Sequence, residues 1–288
     1  VIHLAAYYDF SGEPSPLYQD LTVEGTRRLL HGLQHLSVEQ FVFSSSLLVQ
    51  ASSEEGQPIN ETSPLNAEWD YPKSKLAAEE VIQKEAKGIP TVILRLAGVY
   101  DEDCHSIPIS QQIARVYEKQ LESYFFPGDL SCGQSFLHLD DLVACFQAVV
   151  EKRINLPLHS LFIIGEEDLM SYEELQDKLG LYLHGDQWPA IRIPKMAAKA
   201  GAWIKDQFSN EEDTPFIKPW MIDLADQNYP VCIQHAREFL EWEPKHQLRN
   251  TLPEITERLK SDPERWYQIN GLPVPEELNQ EGSAGTRK

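Results

Sequence analysis

The chain has 288 residues, 42% of them hydrophobic, with a formal net charge of -20 at pH 7, an ordinary composition for a globular protein with a sizeable core. That acidity argues against nucleic acid as a partner, because a phosphate backbone is bound through clustered Lys and Arg. No apolar run reaches the roughly 18–20 residues that span a bilayer, and no signal peptide precedes the first strand, so a cytoplasmic protein with no membrane contact is expected. Cys104, Cys132, Cys145 and Cys232 form no C-x-x-C pair and read as free thiols in a reducing compartment.

Val1–Ala6 reads as a short buried strand leading into a polar loop around Ser11–Pro16. Val23, Thr26, Leu29, Leu30 and Leu33 recur at helical spacing within a helix from about Gln19 to Leu36, where Gly25 is suited to close approach to a sheet. Phe41–Ser45 is the next strand, with Ser46 at its end, and Tyr71–Lys87 the next helix, with Pro72 in its first turn and Lys87-Gly88 at its stop. Thr91–Leu96 is a third β-rich run. Strands of continuous apolar character alternating with helices mean βαβ units and a parallel sheet.

After Tyr100 helical patterns dominate, at about Ile109–Tyr124, Tyr172–Leu183 and Lys195–Gln207. Phe136–Leu139 with its following helix, and Leu161–Ile164, read as returns to the sheet, so two domains interleave. The small residues between Met196 and Trp203 suit tight helix packing, and Trp188, Trp203 and Trp220 fit either a pocket wall or a core. Asp262–Gly271 is the last helix expected, followed by a mobile tail rich in Pro, Glu, Gly and Ser. The expected division is 1–165 for a sheet domain with an insertion at about 101–135, 166–271 for a substrate domain, and 272–288 for the tail.

Tyr71 and Lys75 lie four residues apart, hence on one face of a helix, and Ser46 precedes Tyr71 by 25 residues at the end of a strand. With these residues the chain resembles the extended short-chain dehydrogenase/reductases, the NAD-dependent epimerase/dehydratase family. Val1–Ala6 is similar to that family's fourth strand, Val23–Thr26 to the helix that follows it, and Phe43–Ser46 to its catalytic-serine strand. Arg95–Tyr100 is similar to the segment beside the nicotinamide, Phe136–Asp141 to the segment re-entering the core, and Glu241–Pro244 to a late Gly-Trp-x-Pro turn with glutamate in place of glycine. The resemblance implies an α/β fold, a Rossmann-type parallel sheet with an interleaved, mostly helical substrate domain, acting as a homodimer on a small-molecule substrate.

It also implies the chemistry: NAD(P)-dependent oxidation, reduction or epimerisation at a hydroxyl or carbonyl carbon. Tyr71 would exchange a proton with the substrate oxygen, Ser46 would position that oxygen, and Lys75 would hold the nicotinamide ribose and bring the phenol down from its ordinary pKa near 10. NAD or NADP would lie against Leu4, Ala5, Ala6, Ser44, Tyr71, Lys75, Leu96, Ala97, Gly98 and Val99. The family's first βαβ unit and Gly-rich pyrophosphate loop have no counterpart in the sequence, which starts at Val1, and an N-terminally truncated chain is expected. Thr22 stands in place of a frequent asparagine and Leu96 in place of a frequent proline. Gln134 stands where nucleotide-sugar enzymes carry a diphosphate-binding arginine, which favours a hydroxysteroid- or flavonoid-type reductase of the same branch, although Arg115 or Arg192 could compensate. A nucleotide-binding regulatory protein of the same fold without catalysis is the alternative from another class, against which retention of Ser46, Tyr71 and Lys75 argues, and a catalytically inactive fragment is a third expectation. His138, Asp140 and Asp141 read as a helix cap plus a solvated charge and not as a metal site, His3 as a satisfied core or near-cofactor group and not a catalyst, and Glu211–Asp213 as an exposed loop.

Overall fold

The computed structural model describes residues 1–9, 12–53, 57–208, 218–276 and 278, with the backbone alone for 202–208 and 219. The chain runs through β1 (Ile2–His3), a π-helical turn (Tyr18–Val23) continuing into α1 (Glu24–Leu33), β2 (Phe41–Ser46), α2 (Asp70–Glu85), β3 (Thr91–Leu96) and β4 (Gly98–Tyr100). It goes on through α3 (Ile107–Tyr117), β5 (Phe125–Pro127), β6 (Gly133–Gln134), β7 (Phe136–His138), α4 (Leu139–Glu151), β8 (His159–Ile164), β9 (Met170–Ser171) and α5 (Tyr172–His184). Last come β10 (Ile191–Ile193), α6 (Lys195–Phe208), α7 (Pro219–Leu224), α8 (Gln234–Leu240), α9 (Leu248–Ser261) and α10 (Pro263–Ile269).

The central sheet is parallel in the order β1-β2-β3-β8, with Phe41 opposite Thr91 and Thr91 opposite His159. Side-chain alternation sorts its two faces. Phe41, Phe43 and Ile93 pack under Leu30 and Leu33 of α1 and Ala78, Val81 and Ile82 of α2. Val42, Val92, Leu94, Phe162 and Ile164 pack on the opposite face with Cys145 and Val149 of α4 and Ala236 and Leu240 of α8. A third core, with Ile109, Ile113, Leu179, Leu252, Ile255 and Trp266 among its members, binds α3, α5, α9 and α10 into a helical lobe.

Capping accounts for several boundaries. Ser171 caps α5 by accepting from the Glu174 N–H at 3.1 Å, and Gly185 closes it at φ +81°. Asp262 caps α10, matching the last expected helix. Other expectations are corrected. β1 is two residues long, because the chain leaves the sheet after His3 and Tyr7 donates its N–H to Thr22 Oγ1 at 3.0 Å. The helix expected to reach Tyr124 stops at Tyr117, where Lys119 turns to φ +54° and a 3-10 turn over Leu121–Tyr124 follows. Among the described residues a Cβ on Gly25 would meet nothing closer than 3.8 Å, so Gly25 does not mark a close approach to the sheet. Strand β10, which pairs with β5, and helices α7, α8 and α9 have no counterpart in the sequence reading. Ser11, the acidic run Glu211–Asp213, the side chain of Trp203 and the tail from 279 onward lie outside the described residues.

Candidate active site

The carboxyl ends of β2 and β3 open into a cleft of about 610 Å³, the position where open parallel sheets receive ligands. Ser46 ends β2 with extended backbone (φ -134°), and its Oγ accepts the Leu48 N–H at 3.2 Å. The Ser46 hydroxyl and the Tyr71 phenol line the same cleft, close enough for Ser46 to favour the phenolate. Tyr71 enters from the first turn of α2, whose Pro72 occupies one of the helix positions that has no backbone acceptor in any case. One turn on, Lys75 is 3% exposed and donates from Nζ to the Ser44 carbonyl at 2.7 Å. Its ammonium lies 5.0 Å from the Phe43 ring centroid and 5.8 Å from that of Tyr71.

Electrostatics differ from the sequence expectation. Burial pushes the Tyr71 phenol up to about 12, Ser46 pulling against it, and Lys75 does not bring it towards neutrality. Burial also draws Lys75 down to about 8, with the Glu79 carboxylate opposing the fall. Glu79, one further turn along α2, is held by Arg95 of β3 in a two-pronged pair (Nε–Oε1 3.1 Å, Nη2–Oε2 2.7 Å), and Ser45 donates to the same carboxylate. Both side chains of that pair are almost fully enclosed. The sequence reading missed it, although Glu79 continues the i, i+4 ladder from Tyr71 and Lys75.

Leu4, Ala6, Ser44, Leu96, Ala97, Gly98 and Val99 line the same cleft, as do Ser46, Tyr71 and Lys75. Ala5 is exposed and does not belong to the wall. These residues suit a nicotinamide nucleotide: a small-residue run at the end of β3 faces a buried ammonium with an adjacent hydroxyl pair. His3 is buried with Nε2 3.0 Å from Thr26 Oγ1, the first of its two expected readings. Trp188 is core, stacked on Tyr124, whereas Trp220 walls the cleft with Trp69 (ring centroids 5.1 Å apart). Tyr8 meets the Tyr71 ring edge-on at 4.8 Å. His105 also lines the cleft, its Nδ1 2.7 Å from Asp101 Oδ2. Tyr8, Trp69 and His105 escaped the sequence reading because loop residues that meet only in the fold carry no periodic signal.

Gln134 lies exposed in the cleft wall at the end of β6. Arg115 is turned onto Gln112, and Arg192 is exposed on β10 beside Asp129. His138 caps α4 through Nδ1, which accepts the Asp140 N–H at 3.2 Å. Of the adjacent carboxylates Asp140 is the exposed one, and Asp141 is not. It is buried and accepts from the His246 N–H at 2.8 Å, while its carbonyl accepts from Trp242 Nε1, so it anchors the turn that follows α8. His138, Asp140 and His246 bring possible ligand atoms within 4.8 Å of one another. The two imidazoles stack at 4.0 Å with their planes 20° apart, so a metal in the plane of one ring falls outside the plane of the other.

Comparison with known proteins places this geometry. Residues 1–165 match the NAD dependent epimerase/dehydratase family. The chain belongs to that family, whose members are extended short-chain dehydrogenase/reductases. It is 28% identical to the UDP-glucose 4-epimerase of Streptomyces lividans over 169 residues, 53% of this chain and 51% of that protein. It is 23% identical to the 3-beta-hydroxysteroid dehydrogenase of Mycolicibacterium neoaurum over 265 residues, 85% of this chain and 69% of that one. The chain thus spans about half the length of the Streptomyces relative. The fold is shared with UDP-glucuronic acid 4-epimerase from Bacillus cereus, solved with UDP-glucuronic acid and NAD (TM-score 0.65, 18% identity, 89% of this chain and 74% of that one). Among the described residues no helix is long and apolar enough to cross a membrane.

Proposed function

We propose that the cleft catalyses NAD(P)-dependent oxidation, reduction or epimerisation at a hydroxyl or carbonyl carbon of a small molecule. The observation that carries this reading is the convergence of Ser46, Tyr71 and Lys75 on one cleft, with Lys75 bonded to the Ser44 carbonyl one helical turn from Tyr71 and Leu96–Val99 in the same wall. When bound, the nicotinamide supplies or accepts the hydride. The protein's own residues handle the oxygen. Tyr71, a neutral phenol in this setting, donates its proton to the oxygen of a carbonyl as that oxygen gains charge, and takes it back in the reverse direction. Ser46 gives the same oxygen a second hydrogen bond and fixes its place. Lys75 would hold a ribose hydroxyl of the nucleotide, and it keeps positive charge beside the phenol as the proton leaves it.

Family membership supports NAD or NADP as the nucleotide, a homodimeric assembly and a cytoplasmic location, and supports reading 1–165, with an insertion at 101–135, as the nucleotide-binding region and 166–271 as the substrate-binding region. Tyr71→Phe tests the catalytic assignment: turnover should be abolished and NAD(H) or NADP(H) binding, read by fluorescence transfer from tryptophan to the reduced nucleotide, retained. Wild-type turnover in Tyr71→Phe would refute it. Light scattering on an eluting size-exclusion peak tests the dimer, a monomer mass refuting it.

A further inference from the structure

The catalytic cleft has an annex. A second cavity of about 240 Å³ opens beside it and shares Pro108, Gln134, Phe136, Met221, Ala225 and Gln227 with it, so Gln134 stands at the neck between the two. The annex is walled by apolar and aromatic groups, among them Ile109, Met170, Leu175 and the stacked rings of Phe126 and Tyr172, whose centroids are 3.8 Å apart. The catalytic end is aromatic too, with Tyr8, Trp69 and Trp220 around the Tyr71 phenol.

Charge points the same way. Among the described residues lining either chamber the cations are Lys75, His105 and Arg115. Lys75 is bonded to the Ser44 carbonyl, His105 is paired with Asp101, and Arg115 is turned onto Gln112 with its pKa lowered by burial. Two carboxylates, Glu68 in the cleft and Glu122 in the annex, sit on the path. A diphosphate needs uncommitted cations held in a fork, and here it would meet an amide at the neck and carboxylates on either side. An uncharged ring system would gain its binding free energy from the area that it buries against these walls.

We propose that the substrate is an uncharged, ring-bearing secondary alcohol or ketone, whose reacting oxygen meets Tyr71 and Ser46 and whose apolar body passes the Gln134 neck into the annex. The inference rests on the catalytic reading for the position of the reacting oxygen, but binding tests it independently of turnover. Tryptophan fluorescence, with Trp69 and Trp220 in the cleft wall as reporters, follows titration of the protein with three probes: cyclohexanol, a 3-hydroxysteroid and UDP-glucose. The steroid should bind at least about a hundredfold more tightly than cyclohexanol, as buried apolar area dictates, and its affinity should not fall with added salt. UDP-glucose should fail to displace it. Leu175→Trp, which fills the annex, should weaken the steroid by about tenfold or more. The equilibrium titrations of the unaltered protein decide the matter if that variant does not fold. UDP-glucose binding that weakens with salt and displaces the steroid would overturn the proposal, as would equal affinity for cyclohexanol and the steroid. Steroid binding without hydride transfer would leave this inference standing and remove the catalytic assignment. Turnover of UDP-glucose would do the reverse.

Discussion

Replacing Lys75 with methionine should make the protein more stable near neutral pH while abolishing its proposed catalysis. The ammonium is 3% exposed, and burial brings its pKa from 10.5 to about 8. Two and a half units correspond to roughly 3 kcal/mol, at about 1.4 kcal/mol per unit. The direction follows from proton counts. Below pH 8 the amine is charged in both states, and the fold bears the full cost of burying it. Between about 8 and 10.5 the unfolded chain holds a proton that the fold has released, so stability rises with pH across that window and levels off above it. Methionine keeps most of the stem volume and removes the charge, but it leaves the Ser44 carbonyl without its 2.7 Å donor, a loss of about 1–3 kcal/mol. The expected net gain near pH 7 is therefore up to about 2 kcal/mol, and the variant-minus-parent difference should move by roughly 3 kcal/mol towards destabilisation as pH rises to about 10.5. Urea unfolding of both proteins at matched pH, without added nucleotide, measures that difference directly, because every other titrating group cancels. A difference that stays constant from pH 7 to about pH 10.5 would show that Lys75 bears no burial cost, and the account of its electrostatics would fail.

Three other substitutions test the surroundings. Glu79→Gln leaves the Arg95 guanidinium enclosed without its counter-charge and should cost about 3–5 kcal/mol in urea unfolding; it should also lower the Lys75 pKa further, since Glu79 is the group that raises it. A loss below about 1 kcal/mol would mean the pair is not held as described. Glu241→Gly relieves a left-handed backbone at φ +53° and should gain about 1 kcal/mol, less up to about 0.5 for the exposed pair with Lys152, measured as a shift in the urea midpoint. Gly165→Ala would bring a Cβ within 2.5 Å of Ser135 Oγ and 2.9 Å of Ala97 Cβ. It should destabilise by about 1–3 kcal/mol and, by moving Ala97 in the cleft wall, raise the KM for the nucleotide.

The sheet was legible because its strands are unbroken apolar runs with helices between them, and Ser46, Tyr71 and Lys75 were legible because one strand end and one helix face bring them together. Strand β10 and helices α7 to α9 were not. β10 is three residues with two of its side chains exposed, so it carries no alternation that reaches a core. Proline inside α9 at Pro253 reads as a helix break, and the packing of Leu252 and Ile255 in the helical lobe overrides it. The substitution of glutamate for glycine at Glu241 was visible in the sequence, but its left-handed backbone was not. The adjacent Asp140 and Asp141 suggested one solvated charge without saying which: Asp140 is the exposed one, and the partners that bury Asp141 arrive more than a hundred residues later, at Trp242 and His246.

That late arrival bears on how the protein is made. The core on the α4 face of the sheet is completed by Tyr229, Val231, Ile233, Ala236, Leu240 and Trp242, and the Ile59 backbone pairs with Val231. A ribosome that has released residues 1–165, the stretch matching the family, has therefore delivered a sheet whose α4 face is only partly covered. Contacts of such sequence separation close slowly. The nascent chain should stay dependent on chaperones, and open to proteases, until α8 emerges and docks.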